Sequence, residues 1–140
     1  MDKVNLDKIA QDKAREMLGN KDEKPDIETL ERLVTKALGV LQSQGVYALM
    51  LFLFSRTSKE EKTAPFIRKV LYKALLRIPN FKDNQELSSF KDNDSDHKKV
   101  MEWYSDNITE NLDTLLLVRD LYEQTLIYAR FHAKAAKEDS

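Results

Sequence analysis

The sequence predicts an all-α protein: a compact bundle of about five to six helices around a central apolar helix at residues 46–55. Three observations carry this expectation. The chain of 140 residues has three Gly and three Pro, too few for the many turns of a sandwich or barrel. Charged residues make up 34% and apolar ones 41%, a balance that suits helices with long solvated faces. Finally, Val46 to Phe54 reads VYALMLFLF, nine apolar residues without a break. That run is shorter than the roughly 20 residues needed to cross a bilayer as a helix, and no second strand-like run exists to pair with it. Ala48, Leu49, Met50, Leu51 and Leu53 favour helix over strand. A short helix apolar on all sides needs neighbours on all sides. Val46 to Phe54 is therefore expected to be nearly fully buried, and no strand of three or more residues is expected anywhere. One domain, residues 1–140, is the default at this length, and a domain of this size buries roughly 68–70% of the surface its unfolded chain exposes.

The elements follow in order. Leu6, Ile9, Ala10, Lys13 (through its stem), Ala14 and Met17 recur at helical spacing and predict a helix over 3–18, stopped by Gly19-Asn20. Pro25 marks the next boundary and Asp26 caps a second helix. Its stripe is Ile27, Leu30, Leu33, Val34, Ala37, Leu38 and Leu41. Gly45 breaks that helix before the apolar run, and Ser55-Arg56-Thr57-Ser58 ends the run. Ser58 with Glu61 has the spacing of a capping box, but a helix begun there would enclose Pro65. The expected start is therefore Ala64-Pro65, with proline at the first helical position, and the helix runs to about Ile78, before Pro79. Residues 80–96 are polar, anchored by Phe81, Leu87 and Phe90, and read as a long, mobile loop with room for one helical turn. Ser95 or Asp96 begins a helix carrying Val100, Met101, Trp103 and Tyr104, and the longest helix covers about 109–136.

Composition narrows the function. A net charge of −1 gives no overall field for nucleic acid or an anionic membrane, so any such contact is a local patch. There is no Cys, which removes disulfides and thiolate metal sites and fits a reducing compartment. The stretch MDKVNLDKIAQDK lacks the uninterrupted apolar core of a secretory signal. A cytoplasmic protein is the expectation, and the sequons at Asn93 and Asn107 are read as coincidence. Asp92, Asp94 and Asp96 copy the first ligands of a calcium loop, but His97 stands where glycine is required and Trp103 where the closing glutamate belongs. His97 and His132 alone cannot build a zinc site and have no triad partners at a recognisable spacing. The adjacent carboxylates Glu60 and Glu61 diverge on a helix, and the scattered glycines form no phosphate loop. No enzyme, cofactor, metal or small-molecule substrate is expected.

One segment is locally basic. From Arg56 to Arg77 seven cations (Arg56, Lys59, Lys62, Arg68, Lys69, Lys73, Arg77) face two carboxylates, Glu60 and Glu61, a local net of +5. Lys69, Lys73 and Arg77 fall at i, i+4 and i+8, one stripe opposite the apolar one, with Phe66, Leu76 and Tyr72 beside it. Such a stripe is either an ordinary solvated face or a phosphate-backbone contact. For the second role the three cations need to be exposed, on one face, and largely without carboxylate partners. The last helix carries two apolar faces, one of Ile108, Leu112, Leu115, Leu116, Tyr122, Leu126, Ala129 and Ala133, the other of Leu117, Leu121 and Tyr128. Arg119 and Arg130 fall inside the first. They either pair with carboxylates of the same chain or sit at the centre of an interface with another subunit.

Three features together resemble the small all-helical subunit, the fifth one, of the Cmr CRISPR RNA-silencing complex (type III-B). One is the helix leading into Gln42-Ser43-Gln44-Gly45-Val46-Tyr47-Ala48-Leu49-Met50-Leu51-Phe52-Leu53, similar to that family's glycine-containing turn and apolar helix. Another is Leu117-Val118-Arg119 followed by Tyr128-Ala129-Arg130-Phe131-His132-Ala133, similar to its closing helix. The third is total size. The resemblance covers most of the chain and rests on packing motifs; Tyr47 stands where the family has a small residue, and 80–96 is longer than the family's segment.

The resemblance implies a non-catalytic scaffold of antiviral defence, stacked as a minor filament along a channel that holds guide and target RNA. Its partners would be the other Cmr subunits and the backbones of CRISPR RNA and target RNA. Arg68, Lys69, Lys73 and Arg77 would be the phosphate contacts, and Arg119 and Arg130 would lie at a subunit interface. Two other classes stay open: a helical adaptor that binds a protein partner through its last helix, and a small DNA-binding regulator, for which the turn-and-recognition-helix signature is missing.

Overall fold

Gly45 adopts φ +97°, a conformation that strains any residue with a Cβ, and it divides the first long apolar stretch into two helices. Its N–H donates to the Leu41 carbonyl (3.0 Å) and its carbonyl accepts from the Leu49 N–H (3.1 Å). One residue thus closes one helix and opens the next. The computed structural model describes residues 5–19, 25–90 and 97–138. Among these it is all-helical, with no strand: α1 Leu6–Met17, α2 Ile27–Gln44, α3 Val46–Phe54, α4 Glu60–Leu75, α5 Gln85–Ser89, α6 His97–Tyr104, a π-helical turn Ser105–Thr109, and α7 Leu112–Glu138. The expected bundle is present. Asp92, Asp94 and the Ser95/Asp96 helix start lie outside the described residues.

The long α7 is the spine, packed along α1 and α2, while α4 closes the bundle against α1, α2 and α3. The apolar helix α3 touches α2, α4, α6, α7 and the π-helical turn, so it does sit among neighbours. Yet only Val46, Leu49, Met50 and Leu53 are buried. Tyr47 and Leu51 are 39% and 40% exposed, which corrects the expectation of near-complete burial. They stand at i and i+4 on one face, and that face is left uncovered.

α4 begins earlier than Pro65. Ser58 takes φ +57°, and the chain turns into a helix at Glu60 whose first residue is a buried carboxylate. Glu60 pairs with Lys36 of α2 (3.0 Å) and Arg56 (3.4 Å), and a negative charge suits a helix N-terminus. Thr63, Ala64 and Ile67 are buried. Pro65 therefore sits inside the helix, where it removes one backbone hydrogen bond; the packing of the first turn outweighs that loss. The helix ends at Leu75, followed by turn residues to Ile78.

The segment after Pro79 is packed up to Phe90. Asn84 caps the five-residue α5 by accepting from the Leu87 N–H (2.8 Å). Phe81 and Phe90 pack on Trp103 at ring separations of 5.2 and 5.8 Å. The three apolar anchors of this polar stretch suffice to hold it.

Candidate nucleic-acid interface

Helices α1 and α4 lie side by side, and a cleft of about 590 Å³ opens between them. Its walls carry Lys13 and Arg15 from α1 and Lys69, Lys73 and Arg77 from the α4 side, against Asp12 and Glu16. Five cations face two carboxylates, a net of +3 on a protein whose overall charge is −1. Phe66 and Val70 give the cleft an apolar lining. The i, i+4, i+8 spacing did place the three basic residues on one face. Arg77 holds that position although α4 ends at Leu75, because the following turn keeps near-helical geometry, with Leu76 at φ −65°, ψ −14°.

Exposure sorts these residues. Lys73 and Arg77 are exposed and Lys69 is half-buried. Arg68 is fully buried, so it is no part of a basic surface. Its guanidinium lies over the Phe54 ring (4.0 Å) and donates to the Leu53 carbonyl (3.0 Å). It ties α4 to the end of α3. Arg56 also turns inward, over the Phe52 ring at 3.9 Å and beside Glu60. The run of seven cations thus presents a weaker surface than its count suggests, since two are spent on packing.

Arg77 is not free of carboxylates. Its Nη1 donates to Asp12 Oδ2 at 2.7 Å, while Asp12 Oδ1 takes Arg15 (2.6 Å) and Lys8 (3.1 Å). The hydrogen bond from Arg77, then that from Lys8, hold the Asp12 carboxyl down at about 2. Lys13 pairs with Glu16 at 2.9 Å. The α1 wall, which sequence reasoning missed as part of a basic face, is the new element. Its cations are interspersed with acids and give no local charge run, so only the pairing of α1 with α4 reveals them.

Arg119 and Arg130 point to α2. Arg119 Nη2 donates to the Gln42 carbonyl (3.1 Å) and Arg130 Nε to the Thr35 hydroxyl (3.2 Å). Both contacts are within the chain, but to a carbonyl and a hydroxyl rather than to the expected carboxylates. Around them α7 leaves apolar surface uncovered: Leu112, Leu116 and Phe131 are exposed at 66%, 47% and 60%. A second depression is mostly apolar, lined by Val40, Ala48, Leu51, Phe52 and Phe54, with Gln44, Ser55 and His97 as its polar residues.

Among the described residues no group of three or more His, Cys, Asp or Glu could hold a metal ion, and no helix is long and apolar enough to cross a membrane. No protein-family model, curated protein or solved structure matches this chain.

Proposed function

We propose that this chain is a non-catalytic structural subunit of a Cmr-type (III-B) CRISPR ribonucleoprotein, contacting the guide and target RNA backbone through the α1/α4 cleft and its neighbouring subunits through apolar surface. The observation that carries the reading is the cleft itself: Lys69, Lys73 and Arg77 opposite Lys13 and Arg15, five cations that outnumber the two carboxylates Asp12 and Glu16. Such an arrangement neutralises phosphates and reads no sequence. The glycine-split pair α2 and α3 and the long closing helix, the features that carry the resemblance, support the assignment. Arg119 and Arg130, set between α2 and exposed Leu112, Leu116 and Phe131, belong to the surface proposed to meet other subunits.

A second reading, a helical adaptor that binds one protein partner through α7, draws on the same three exposed residues. Purification of the tagged protein from its native host, with mass identification of what accompanies it, separates the two. Co-purifying CRISPR RNA and Cmr subunits support the first reading. A stoichiometric protein partner without RNA overturns it in favour of the adaptor.

A further inference from the structure

The three cations that converge on Asp12 come from α1 and from the turn that follows α4. Lys8 and Arg15 lie one turn away on α1, an ordinary intrahelical arrangement. Arg77 comes from beyond the end of α4 and aims its guanidinium at the remaining oxygen. A carboxylate so held has both oxygens engaged by cationic donors. This is also how a phosphodiester is held by its two non-bridging oxygens, since guanidinium groups recognise carboxylate and phosphate with the same geometry. The clamp stands at one end of a cleft whose other cations, Lys69 and Lys73, continue the row.

We infer that Asp12 is an internal stand-in for a phosphate: its carboxylate occupies an anion subsite made by Arg77, Arg15 and Lys8, and a backbone phosphate of single-stranded RNA displaces it on binding. The inference rests on reading the cleft as a nucleic-acid surface and adds its regulation. Displacement is cheap, because Asp12, Arg15, Lys8 and Arg77 are all partly solvated and surface ion pairs contribute little to stability. The ligand is single-stranded because a duplex keeps its bases paired and stacked, whereas an unpaired strand has bases free to meet the cleft wall. Phe66 in the cleft wall offers an aromatic face on which a base can stack. With Asp12 in place both faces of the subsite already have an anionic partner and one of its three positive charges is offset, so the cleft discriminates against isolated anions and favours a chain that also meets Lys73.

The test uses the full chain and a fluorescently labelled oligouridylate, with anisotropy measured across a salt series. Four proteins are compared: wild type, Asp12→Asn, the triple variant Lys69→Ala/Lys73→Ala/Arg77→Ala, and Glu31→Gln. The last relieves the Glu31–Lys137 pair on another face (2.8 Å) and makes the same change in net charge. Asp12→Asn is expected to bind more tightly and with a steeper salt dependence, each added phosphate contact deepening the loss between low and physiological salt by roughly threefold. Glu31→Gln should match wild type, and the triple variant should lose binding. Thermal melts of each protein confirm that it is folded; should Asp12→Asn melt early, Asp12→Ser serves as the second variant. If Asp12→Asn binds no better than wild type, or no better than Glu31→Gln, the stand-in is overturned while the cleft keeps its role. If the triple variant keeps the wild-type salt slope, or no protein binds, the nucleic-acid reading itself fails and the inference with it. A polyglutamate peptide that competes as well as unlabelled oligouridylate would overturn RNA as the ligand.

Discussion

Tyr104 of α6 and Tyr122 of α7 share a buried hydrogen bond, hydroxyl to hydroxyl at 2.6 Å, and the Tyr122 hydroxyl also lies 3.4 Å from the Leu71 carbonyl of α4. With Tyr122 donating to the carbonyl, Tyr104 must donate to Tyr122. The two roles are therefore unequal. Tyr104→Phe leaves Tyr122 its carbonyl partner and is expected to cost about 1 kcal/mol, whereas Tyr122→Phe strands a buried Tyr104 hydroxyl and should cost about 1–3 kcal/mol. The double variant removes donor and acceptor together and should be no less stable than Tyr122→Phe alone. Urea denaturation of the three variants measures this order, and equal, additive losses would contradict the pairing.

Burial holds both phenols protonated, Tyr104 and Tyr122 being pushed well above the usual tyrosine value of 10.0. A folded-state value raised above the unfolded one gives stability that is complete below the unfolded value and is lost as pH rises past it. Alkaline titration followed by tyrosinate absorbance should thus show a component that appears only with loss of helical circular dichroism. Its smooth ionisation in a still-folded protein would argue against the buried pair.

Leu51 and Leu53 are two residues apart in one apolar run and should differ in how much they tolerate. Leu53 is buried and Leu51 is 40% exposed. Leu53→Ala is expected to cost about 2–5 kcal/mol through lost burial and the cavity left behind. Leu51→Asp should still fold, with a loss of about 1 kcal/mol. Denaturant midpoints decide, and an unfolded Leu51→Asp variant would mean that its face is covered after all.

Arg68 and Lys73 separate folding from binding. Arg68→Ala removes a buried guanidinium from the Phe54 ring and the Leu53 carbonyl and should destabilise by at least about 2 kcal/mol. Arg68→Met keeps an apolar stem over the ring and should cost less. Lys73→Ala, on the solvated wall of the cleft, should shift stability by less than about 0.5 kcal/mol. Thermal melts check the order, and a fully stable Arg68→Ala would return that residue to the surface.

Acid should act through Asp12. Its carboxyl sits at about 2 rather than 3.8, chiefly through Arg77 and then Lys8; Arg15 shares it, and Lys13 and Glu16 stand along the same cleft. A depressed value means that the stabilisation is present above the unfolded-state value and disappears as pH falls through the folded one. The melting difference between wild type and Asp12→Asn should therefore shrink from about pH 4 to about pH 2, and shrink also at high salt, which screens exposed pairs. A difference independent of both pH and salt would show that Asp12 acts by packing instead.

Local chemistry alone determined much of this protein. Apolar spacing marked α1, α2, α6 and α7, Gly45 marked the break before α3, and Asp26 marked the start of α2, because helix period, capping and left-handed glycines act over a few residues. The unbroken run of α3 carried no such information about its faces: with every residue apolar, nothing in the pattern distinguishes Leu51 from Leu53, and only the placement of α2, α4, α6 and α7 chose which to cover. The start of α4 was decided the same way, by tertiary packing of its first turn, with Thr63, Ala64 and Ile67 buried and Glu60 reaching Lys36 across 24 residues, which together outweigh Pro65. The candidate site depended most on tertiary structure. Arg68 and Lys69 are neighbours in sequence, yet one lies under Phe54 and the other lines the cleft, and Arg77 meets Asp12 across 65 residues. Charge is legible in a sequence, but whether a cation meets water, a ring or a carboxylate is set by the helix packed beside it.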